Sequence, residues 1–506
     1  MEMILTALEQ VFLDPRVWIV CLLSAVYGIF IGAVPGLTAT MAVALFVPMT
    51  FWMDDLLSIT AIVTMTACAI FAGDVPTALL RIPGTPASAA YADQMYALTQ
   101  RGRASSALCV SLVHSVVGGL LGAVVLIFLG RSLAGYAAEF SVAEYFWLYL
   151  LGLSSAVVVT RGPALKALFG LLVGLMLATV GLSAVHASPR FTFGQPELYQ
   201  GINFIPAMIG LFGLSEILAN LLSSGRETAA ATGAAPAASD SSLWGALAVA
   251  GRKLKSRFLG VGRSGAVGAA IGTLPGAGAD IAAWVSLAAS RRGPDQDLEE
   301  QELADVADAA TANSAALAGA WIPSLVFGIP GDSVTAMVIG VLLMKNITPG
   351  PTIYENNGAL VYSIYLMFIL ANLMLIPVGL LAIRLGGLVV RIPKRVLLPI
   401  ILLFCLIGAF AINGSYFDVY TMLGCGVLGL ILDRRQIPLG PVVLGIVLGG
   451  AVEERFIQAV TAADGSPLAL VSRPVSVVLA LLCLGLWSWR IFSHWYRPGV
   501  NSFSKP

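Results

Sequence analysis

Four short stretches place polar side chains directly beside a proline–glycine step inside apolar sequence. The first is GAVPGLTATMAVALFVP (32–48), where Pro35–Gly36 is followed by Thr38 and Thr40. The second, PTALLRIPGTPASA (76–89), has Pro83–Gly84 followed by Thr85 and Ser88. The third, GTLPGAGADIAAWV (272–285), has Pro275–Gly276, then Gly278 and Asp280. The fourth, PSLVFGIPGDSVTA (323–336), has Pro330–Gly331, then Asp332, Ser333 and Thr335. Proline removes an amide donor and clashes with the preceding turn, and glycine tolerates dihedrals that other residues avoid. Each step is therefore expected to interrupt a helix. Amides freed at a helix N-terminus attract anions, and freed carbonyls hold cations. Hydroxyls beside them extend that chemistry to a carboxylate substrate. The plain structural alternative is that each hydroxyl bonds a carbonyl of its own preceding turn.

Three carboxylates, Asp74, Asp280 and Asp332, lie in or beside apolar segments. An ionised carboxylate there is costly without a partner, and coordinating a cation or carrying a proton supplies one. Asp280 leads, because it follows its break by one turn with no basic residue near it in sequence. Asn313 and Ser314, in TANSAALAGAW, precede the fourth break and offer neutral oxygens to a cation. Asn203 and Glu216 read equally well as interhelical hydrogen bonds, and Arg81 either meets an anion or snorkels to headgroups. His114, His186 and His494 form no catalytic or metal cluster in sequence. With no nucleophile elbow or phosphate-binding loop, neither enzymatic chemistry nor ATP hydrolysis by this chain is expected. No cofactor is expected either, and an ion gradient is the simpler energy source.

The elements that must position these groups are read from composition. Of 506 residues, 58% are hydrophobic and 11% charged, against roughly 25% charged in soluble domains. Mean hydropathy is +0.89. Lys+Arg and Asp+Glu balance at 28 each, which gives no case for nucleic acid. Apolar runs at 107–130, 359–383 and 475–487 suit a lipid bilayer. The pattern predicts an all-α polytopic membrane protein of about ten to twelve spans, several broken or re-entrant. Cys21, Cys68, Cys109, Cys405, Cys425 and Cys483 read as small buried hydrophobes. The opening MEMILTALEQVFLDPR lacks the basic start and small-residue cleavage site of a signal peptide. The expected organisation is a first transmembrane half (1–222), a linker with a basic segment (223–263), a second repeat core (264–395) and C-terminal transmembrane helices (396–506). Arg252, Lys253, Lys255, Arg257 and Arg263 put the linker in the cytoplasm by the positive-inside rule. Basic groups at Arg384, Arg391, Lys394 and Arg395, then Arg434 and Arg435, then Arg490 and Arg497, put the C-terminus there too.

The breaks are paired. Gly28, Gly32, Pro35 and Gly36 match Gly268, Gly272, Pro275 and Gly276 at one constant offset. Pro76, Ile82, Pro83 and Gly84 match Pro323, Ile329, Pro330 and Gly331 at another. Two ordered matches point to an internal duplication, and an odd number of crossings between copies makes them antiparallel. Broken helices at corresponding places in two repeats are the pattern of a secondary-transporter site.

GIFIGAVPGLTATMAVALFVP (28–48), ALLRIPGTPASAAYADQMYALTQRG (78–102), GAAIGTLPGAGADIAAW (268–284), TANSAALAGAWIPSLVFGIPG (311–331) and KNITPGP (345–351) resemble the large membrane subunit of the tripartite tricarboxylate transporters, the TctA family. The resemblance extends over nearly the whole chain. It implies the large permease subunit of an importer in the bacterial inner membrane. Such a permease works with a small four-helix membrane subunit and a periplasmic solute-binding protein. Its substrates would be citrate and related carboxylates, coupled to sodium or protons. The resemblance places Pro35, Gly36, Thr38, Thr40, Pro83, Gly84, Thr85 and Ser88 in a first-half signature. Pro275, Gly276, Gly278, Asn313, Pro330 and Gly331 fall in its counterpart. The chain departs from the family pattern at Ala310-Thr311-Ala312-Asn313-Ser314, which lacks an acid and a second asparagine. It also has Asp93-Gln94 where Asp-Gly is usual, and Asp280 where threonine is common. These departures bear on which acid and which ion are carried. The alternatives are a channel for small organic anions and an intramembrane enzyme pairing Asp74 with Asp332. A scaffold-only role would not need duplicated breaks.

Overall fold

The computed structural model describes residues 2–160, 163–183, 187–223, 242–276, 278–290, 297–389 and 394–495. Residues 224–241 of the expected linker, with His186, Arg391 and Arg497, lie outside the described residues. The chain begins with α1 (Glu2–Phe12) and α2 (Pro15–Ala33). Asp14 accepts a hydrogen bond from Arg16 N at the start of α2, and Pro15 sits where its missing amide is harmless. There follow α3 (Ala39–Phe46), α4 (Asp55–Ala72), α5 (Asp74–Leu80), α6 (Ala92–Gln100) and α7 (Ala104–Ala137). Next come α8 (Val142–Val159), α9 (Ala164–Ala178) and a short antiparallel pair, β1 (Gly181–Leu182) with β2 (Pro189–Arg190). A π-helical turn at Ile209–Leu214 joins α10 (Phe204–Met208) to α11 (Ser215–Ser223). Within the second part of the expected linker and beyond it run α12 (Leu243–Ser256), α13 (Phe258–Gly272), α14 (Gly278–Ala289), α15 (Leu298–Phe327) and α16 (Ser333–Met344). The chain continues through α17 (Ile353–Asn356), α18 (Gly358–Val389), α19 (Lys394–Asn413), α20 (Tyr416–Arg434), α21 (Leu439–Thr461) and α22 (Pro474–Trp495).

This is an all-α polytopic membrane protein. Among the described residues seven helical stretches are long and apolar enough to cross a membrane, fewer than the ten to twelve expected from sequence. Two features of the fold contribute to the difference. The Pro-Gly steps leave restarted helices such as α14 and α16, of 12 residues each. At 1.5 Å per residue each covers about 18 Å of a roughly 30 Å core. The second feature is α15, 30 residues long, which fails a hydropathy test because protein surrounds it. It packs against α7, α13, α14 and α6, so its buried positions hold alanine, serine, threonine and aspartate where lipid would demand leucine.

The described chain divides into two compact units. One comprises residues 138–202 and 432–506. Within it α9 and α21 approach so closely that a Cβ at Gly174 would lie 2.0 Å from Val442 O. Glu144 caps α8 together with Ser141 and also pairs with Arg473 at 3.1 Å. Arg190 pairs with Glu453 at 2.7 Å.

The other unit comprises residues 1–137 and 203–431 and contains all four Pro-Gly steps. Its helices meet backbone to backbone. A Cβ on Gly28 would lie 2.3 Å from Met65 O, and one on Gly32 2.4 Å from Ala69 O. On the second pair, a Cβ on Gly268 would lie 2.2 Å from Ala312 O and one on Gly272 2.3 Å from Ala316 O. Gly118 and Gly122 make the same approach to Thr311 and Ala315. Residue numbers rise together across each of these contacts, so α2 runs alongside α4, and both α13 and α7 run alongside α15, in the same direction. Gly119 faces Asn372 while Gly379 faces Leu112, so α18 runs against α7. Gly379 also faces Phe71 and Gly386 faces Val75, which aligns α18 with α4–α5. The α2–α4 pair therefore runs opposite to the α13–α15 pair. Lipid offers no hydrophobic gain for helix association, and close backbone approach through small residues takes its place.

Replacing Gly268 by valine should push α13 off α15 and destabilise the protein by about 1–3 kcal/mol or more, as overpacking does. The check is thermal unfolding followed by size-exclusion chromatography. Gly262→Ala, at a position with open space around it, should leave the melting curve unchanged.

Candidate functional site

At the first interruption α2 ends at Ala33, Gly36 adopts φ 87°, and α3 restarts at Ala39. Thr38 Oγ1 accepts from Met41 N at 3.2 Å and caps the new helix. At the third, α13 ends at Gly272, Gly276 and Gly278 adopt φ 75° and 67°, and α14 restarts with Asp280 in its first turn. These left-handed values explain why glycine stands at these steps. Pro35 is buried; Gly36, Thr38, Thr40, Pro275, Gly276, Gly278 and Asp280 are half-buried.

The second and fourth interruptions are built from the same contacts. Both begin with a left-handed residue, Arg81 at φ 59° and Gly328 at φ 67°. Thr77 Oγ1 donates to Gly73 O at 2.7 Å and reaches Ile82 O at 3.4 Å. Ser324 Oγ does the same to Ala320 O at 2.8 Å and Ile329 O at 3.4 Å. Gly84 lies on Gly73, and Gly331 lies on Ala320, each too close for a Cβ. Thr85 and Ser88 then bond reciprocally, each amide to the other's hydroxyl at 3.0 Å. Asp332 and Thr335 repeat that reciprocity, with Asp332 N to Thr335 Oγ1 at 2.9 Å and Thr335 N to Asp332 Oδ1 at 2.8 Å. Every one of these residue pairs is separated by the spacing that relates Pro83–Gly84 to Pro330–Gly331.

The four interruptions lie side by side. Gly276 N donates to Gly331 O at 2.9 Å, joining the third to the fourth. Trp284 Nε1, on α14, donates to Pro86 O at 3.3 Å, joining the third to the second. Helix α3 packs on α16, joining the first to the fourth. A Cβ at Gly278 would lie 3.9 Å from the Cβ of Asp332. Three helix N-termini, those of α3, α14 and α16, thus open from one neighbourhood, as do the C-termini of α2, α5, α13 and α15.

The candidate side chains take different places in this frame. The Thr38, Thr85, Ser88 and Thr335 hydroxyls are engaged in local caps. Thr40 and Ser333 are half-buried with no side-chain hydrogen-bond partner among the described residues. Pro83 is exposed, while Pro330, Gly84 and Gly331 are buried. Asp74 opens α5 directly after Gly73, on which Gly84 of the second step packs, and is buried beside α6 and α7. Tyr91 Oη donates to its Oδ1 at 2.7 Å and Ser111 Oγ to its Oδ2. Asp332 gives its Oδ1 to Thr335. Asn313 and Ser314 are buried on α15. Asn313 lies two turns before Ala320, on the face that receives Gly331.

Two buried acids on α15 escaped the sequence reading, Asp305 and Asp308. Asp308 Oδ2 accepts from Arg257 at 2.6 Å, Arg263 at 2.9 Å and Ser290 Oγ at 2.7 Å. Lys253 pairs with Glu300. The signal was present as two aspartates three residues apart in an alanine run, opposite a basic segment. The positive-inside reading accounted for those arginines by topology alone. Among the described residues no group of three or more His, Cys, Asp or Glu is arranged to hold a metal ion.

Its long apolar helices and its adjoining interrupted ones make the chain a polytopic membrane protein. The chain belongs to the tripartite tricarboxylate transporter TctA family, whose model matches residues 18–444. It is similar to a protein of Agrobacterium vitis described as an uncharacterized 52.8 kDa protein in the TAR-I ttuC' 3' region. The two are 33% identical over 475 residues, covering 93% of this chain and 91% of the relative. A second A. vitis protein, from the TAR-II ttuC' 3' region, is 34% identical over 221 residues, 43% of this chain and 90% of its own length. No solved structure matches. Family membership makes the chain a transport subunit and not an enzyme, supports an inner-membrane location and implies a tripartite system.

Removing the fourth cap by Asp332→Ala should cost about 1 kcal/mol of stability, the usual worth of a helix N-cap. Asp332→Asn, which keeps an acceptor for Thr335 N, should recover most of it. The measurement is the thermal midpoint of the purified protein.

Proposed function

We propose that this chain is the large permease subunit of a cation-coupled, binding-protein-dependent secondary importer of tricarboxylates or related organic acids. It would be built from two duplicated, inverted halves. The reading rests foremost on the matching contacts of the second and fourth interruptions. They recur residue for residue on helices that run in opposite directions. An inverted repeat with broken helices meeting at its centre is how secondary transporters form a substrate site. The duplicated halves, within 1–222 and 264–395, are sequence units and differ from the compact units of the fold.

In this reading a substrate carboxylate settles against the freed amides of α3, α14 and α16, where the helix dipoles favour negative charge. Thr40 and Ser333 supply hydroxyls that local caps do not consume. The backbone of Pro35–Gly36, Pro83–Gly84, Pro275–Gly276, Gly278 and Pro330–Gly331 shapes the site. A cation, sodium or a proton, is held by carbonyl ends with Asp280, Asn313, Ser314 and Asp332 nearby, which offsets the cost of bringing an anion into the membrane. Asp74, next to Gly73 beneath the second step, is a further member of that set. Joint occupancy permits the inward transition. The remaining partners are a small four-helix membrane subunit and a periplasmic solute-binding protein that delivers the acid. The basic linker and the C-terminus would face the cytoplasm.

Reconstitution with both partner subunits, under imposed sodium and proton gradients and a panel of radiolabelled di- and tricarboxylates, should give saturable uptake that depends on one gradient. Uptake indifferent to every ion gradient would remove the coupling, and non-saturating flux would favour a channel. Asp280→Asn should lower uptake about tenfold, or shift its cation or pH dependence, with an unchanged elution profile. An Asp280→Asn carrier with wild-type uptake at every pH and sodium concentration would remove that residue from the site.

A further inference from the structure

Three parallel helices of the larger unit hold a layer of polar atoms that the site above does not use. Helices α7 and α13 both run in register with α15, through Gly118 on Thr311 and Gly268 on Ala312. One turn earlier on each helix lie His114, Ser264 and Asp308, all fully buried. Each presents a polar atom with no hydrogen-bond partner among the described residues: His114 Nε2, Ser264 Oγ and Asp308 Oδ1. A buried polar atom without a partner is costly, and three at one level call for an explanation. His114 Nδ1 lies 2.8 Å from Val110 O. That contact makes Nδ1 the protonated nitrogen of a neutral ring and leaves Nε2 with a free lone pair. Asp308 Oδ2 already serves three donors, whereas Oδ1 lies beside Gly260, 3.5 Å from where a Cβ there would be.

The charged groups around this layer come from every neighbouring element. Lys253 on α12 is paired with Glu300. Arg257, ahead of α13, and Arg263, within it, are paired with Asp308. Asp305 lies one turn before Asp308 on α15. Asp74 reaches α7 through Ser111, one turn before His114. The three cations are thus paired with Glu300 and Asp308, Asp305 adds a further acid to the layer, and Asp74 is bonded by neutral donors. A proton added here is not repelled by an uncompensated positive field.

We propose that His114, Ser264 and Asp308 form a proton-binding site, in which His114 takes a proton onto Nε2 and the imidazolium is held by Asp308. This rests on the importer reading and names the coupling cation as a proton. The proton comes from solvent hydronium: one O–H bond breaks, its electron pair stays on oxygen to leave water, and the Nε2 lone pair forms the new N–H bond. The imidazolium competes with Arg257 and Arg263 for the carboxylate. Helix α14 transmits the change. Near its end Ser286 and Ser290 bond Asp308, and at its start Gly278 and Asp280 lie at the third interruption. Along α13 the layer lies eight residues, about 12 Å, from that interruption. Loosening Asp308 from Ser290 and the arginines frees α14 to move when the substrate site is filled.

The test uses the full-length chain, ¹⁵N-labelled at histidine, in liposomes, followed by solid-state NMR against pH. The sequence has three histidines, and His114→Gln identifies the His114 signal. His114 should pass from the Nδ1–H neutral tautomer to imidazolium as pH falls. Asp308→Asn should weaken its proton affinity about tenfold, because a carboxylate favours the charged ring, and Arg263→Gln should raise the affinity, because a competing cation is gone. If Asp308→Asn does not fold, Arg263→Gln decides: a raised midpoint supports the site and an unmoved one overturns it. A His114 that stays neutral to the lowest pH at which the protein remains folded overturns it as well. Uptake indifferent to ion gradients with a titrating His114 would remove the coupling reading alone. Proton-driven uptake with a silent His114 would remove this site alone.

Discussion

A helix interrupted inside hydrocarbon frees backbone groups that lipid cannot satisfy, and the larger unit is organised around supplying them with partners. Gly276 N finds Gly331 O, so one break completes another. Thr77 and Ser324 turn their hydroxyls onto carbonyls on either side of a break. Thr85 with Ser88, and Asp332 with Thr335, satisfy the amides of the restarting chain. Glycine then becomes structural at two levels. Gly36, Gly276 and Gly278 take backbone angles that side chains resist. Gly28, Gly32, Gly268 and Gly272 let neighbouring helices approach until backbone meets backbone.

The same constraint explains the composition of α15. A helix enclosed by α7, α13 and α14 is not selected for greasiness but for small volume and internal hydrogen bonding. Its Ala-rich face admits Gly118, Gly122, Gly268 and Gly272, and Asp308 is tolerable there because Arg257 and Arg263 reach it. Removing one partner from such a buried pair would leave the other charge uncompensated, so the arginines ahead of and within α13 are as much a part of α15 as its own side chains.

The positions of the breaks were legible in the sequence, because Pro-Gly inside an apolar run has few other meanings. Their shared contacts were foreshadowed by the constant spacing, although only the geometry reveals that Thr85 and Asp332 occupy equivalent capping positions. The span count was less legible. Hydropathy counts residues that face lipid, and α15 does not, while α14 and α16 are cut short by the steps before them. Asp308 was hidden for a related reason. Its partners stand far from it in sequence, and a basic stretch has a sufficient explanation in membrane topology. Asp74 shows what the sequence could not supply. An acid in an apolar run invited a ligand, yet Tyr91 and Ser111 engage both its oxygens.

The equivalence of Thr85 and Asp332 separates two kinds of acid near the breaks. Where the second break caps its restarting chain with a hydroxyl, the fourth uses a carboxylate for the same two hydrogen bonds. The charge of Asp332 therefore has a local structural reason, and its presence alone says little about a bound cation. The first and third breaks differ in another way. Thr38 caps α3 through Met41 N, whereas α14 begins on Gly278 and carries Asp280 inside its first turn. An acid in the first turn is favoured by the helix dipole, by about 0.3–1 kcal/mol when exposed, so the third break carries a charge where the first carries a neutral cap. Of the acids beside the Pro-Gly steps, Asp280 stands inside the first turn of its helix, whereas Asp332 stands at the cap.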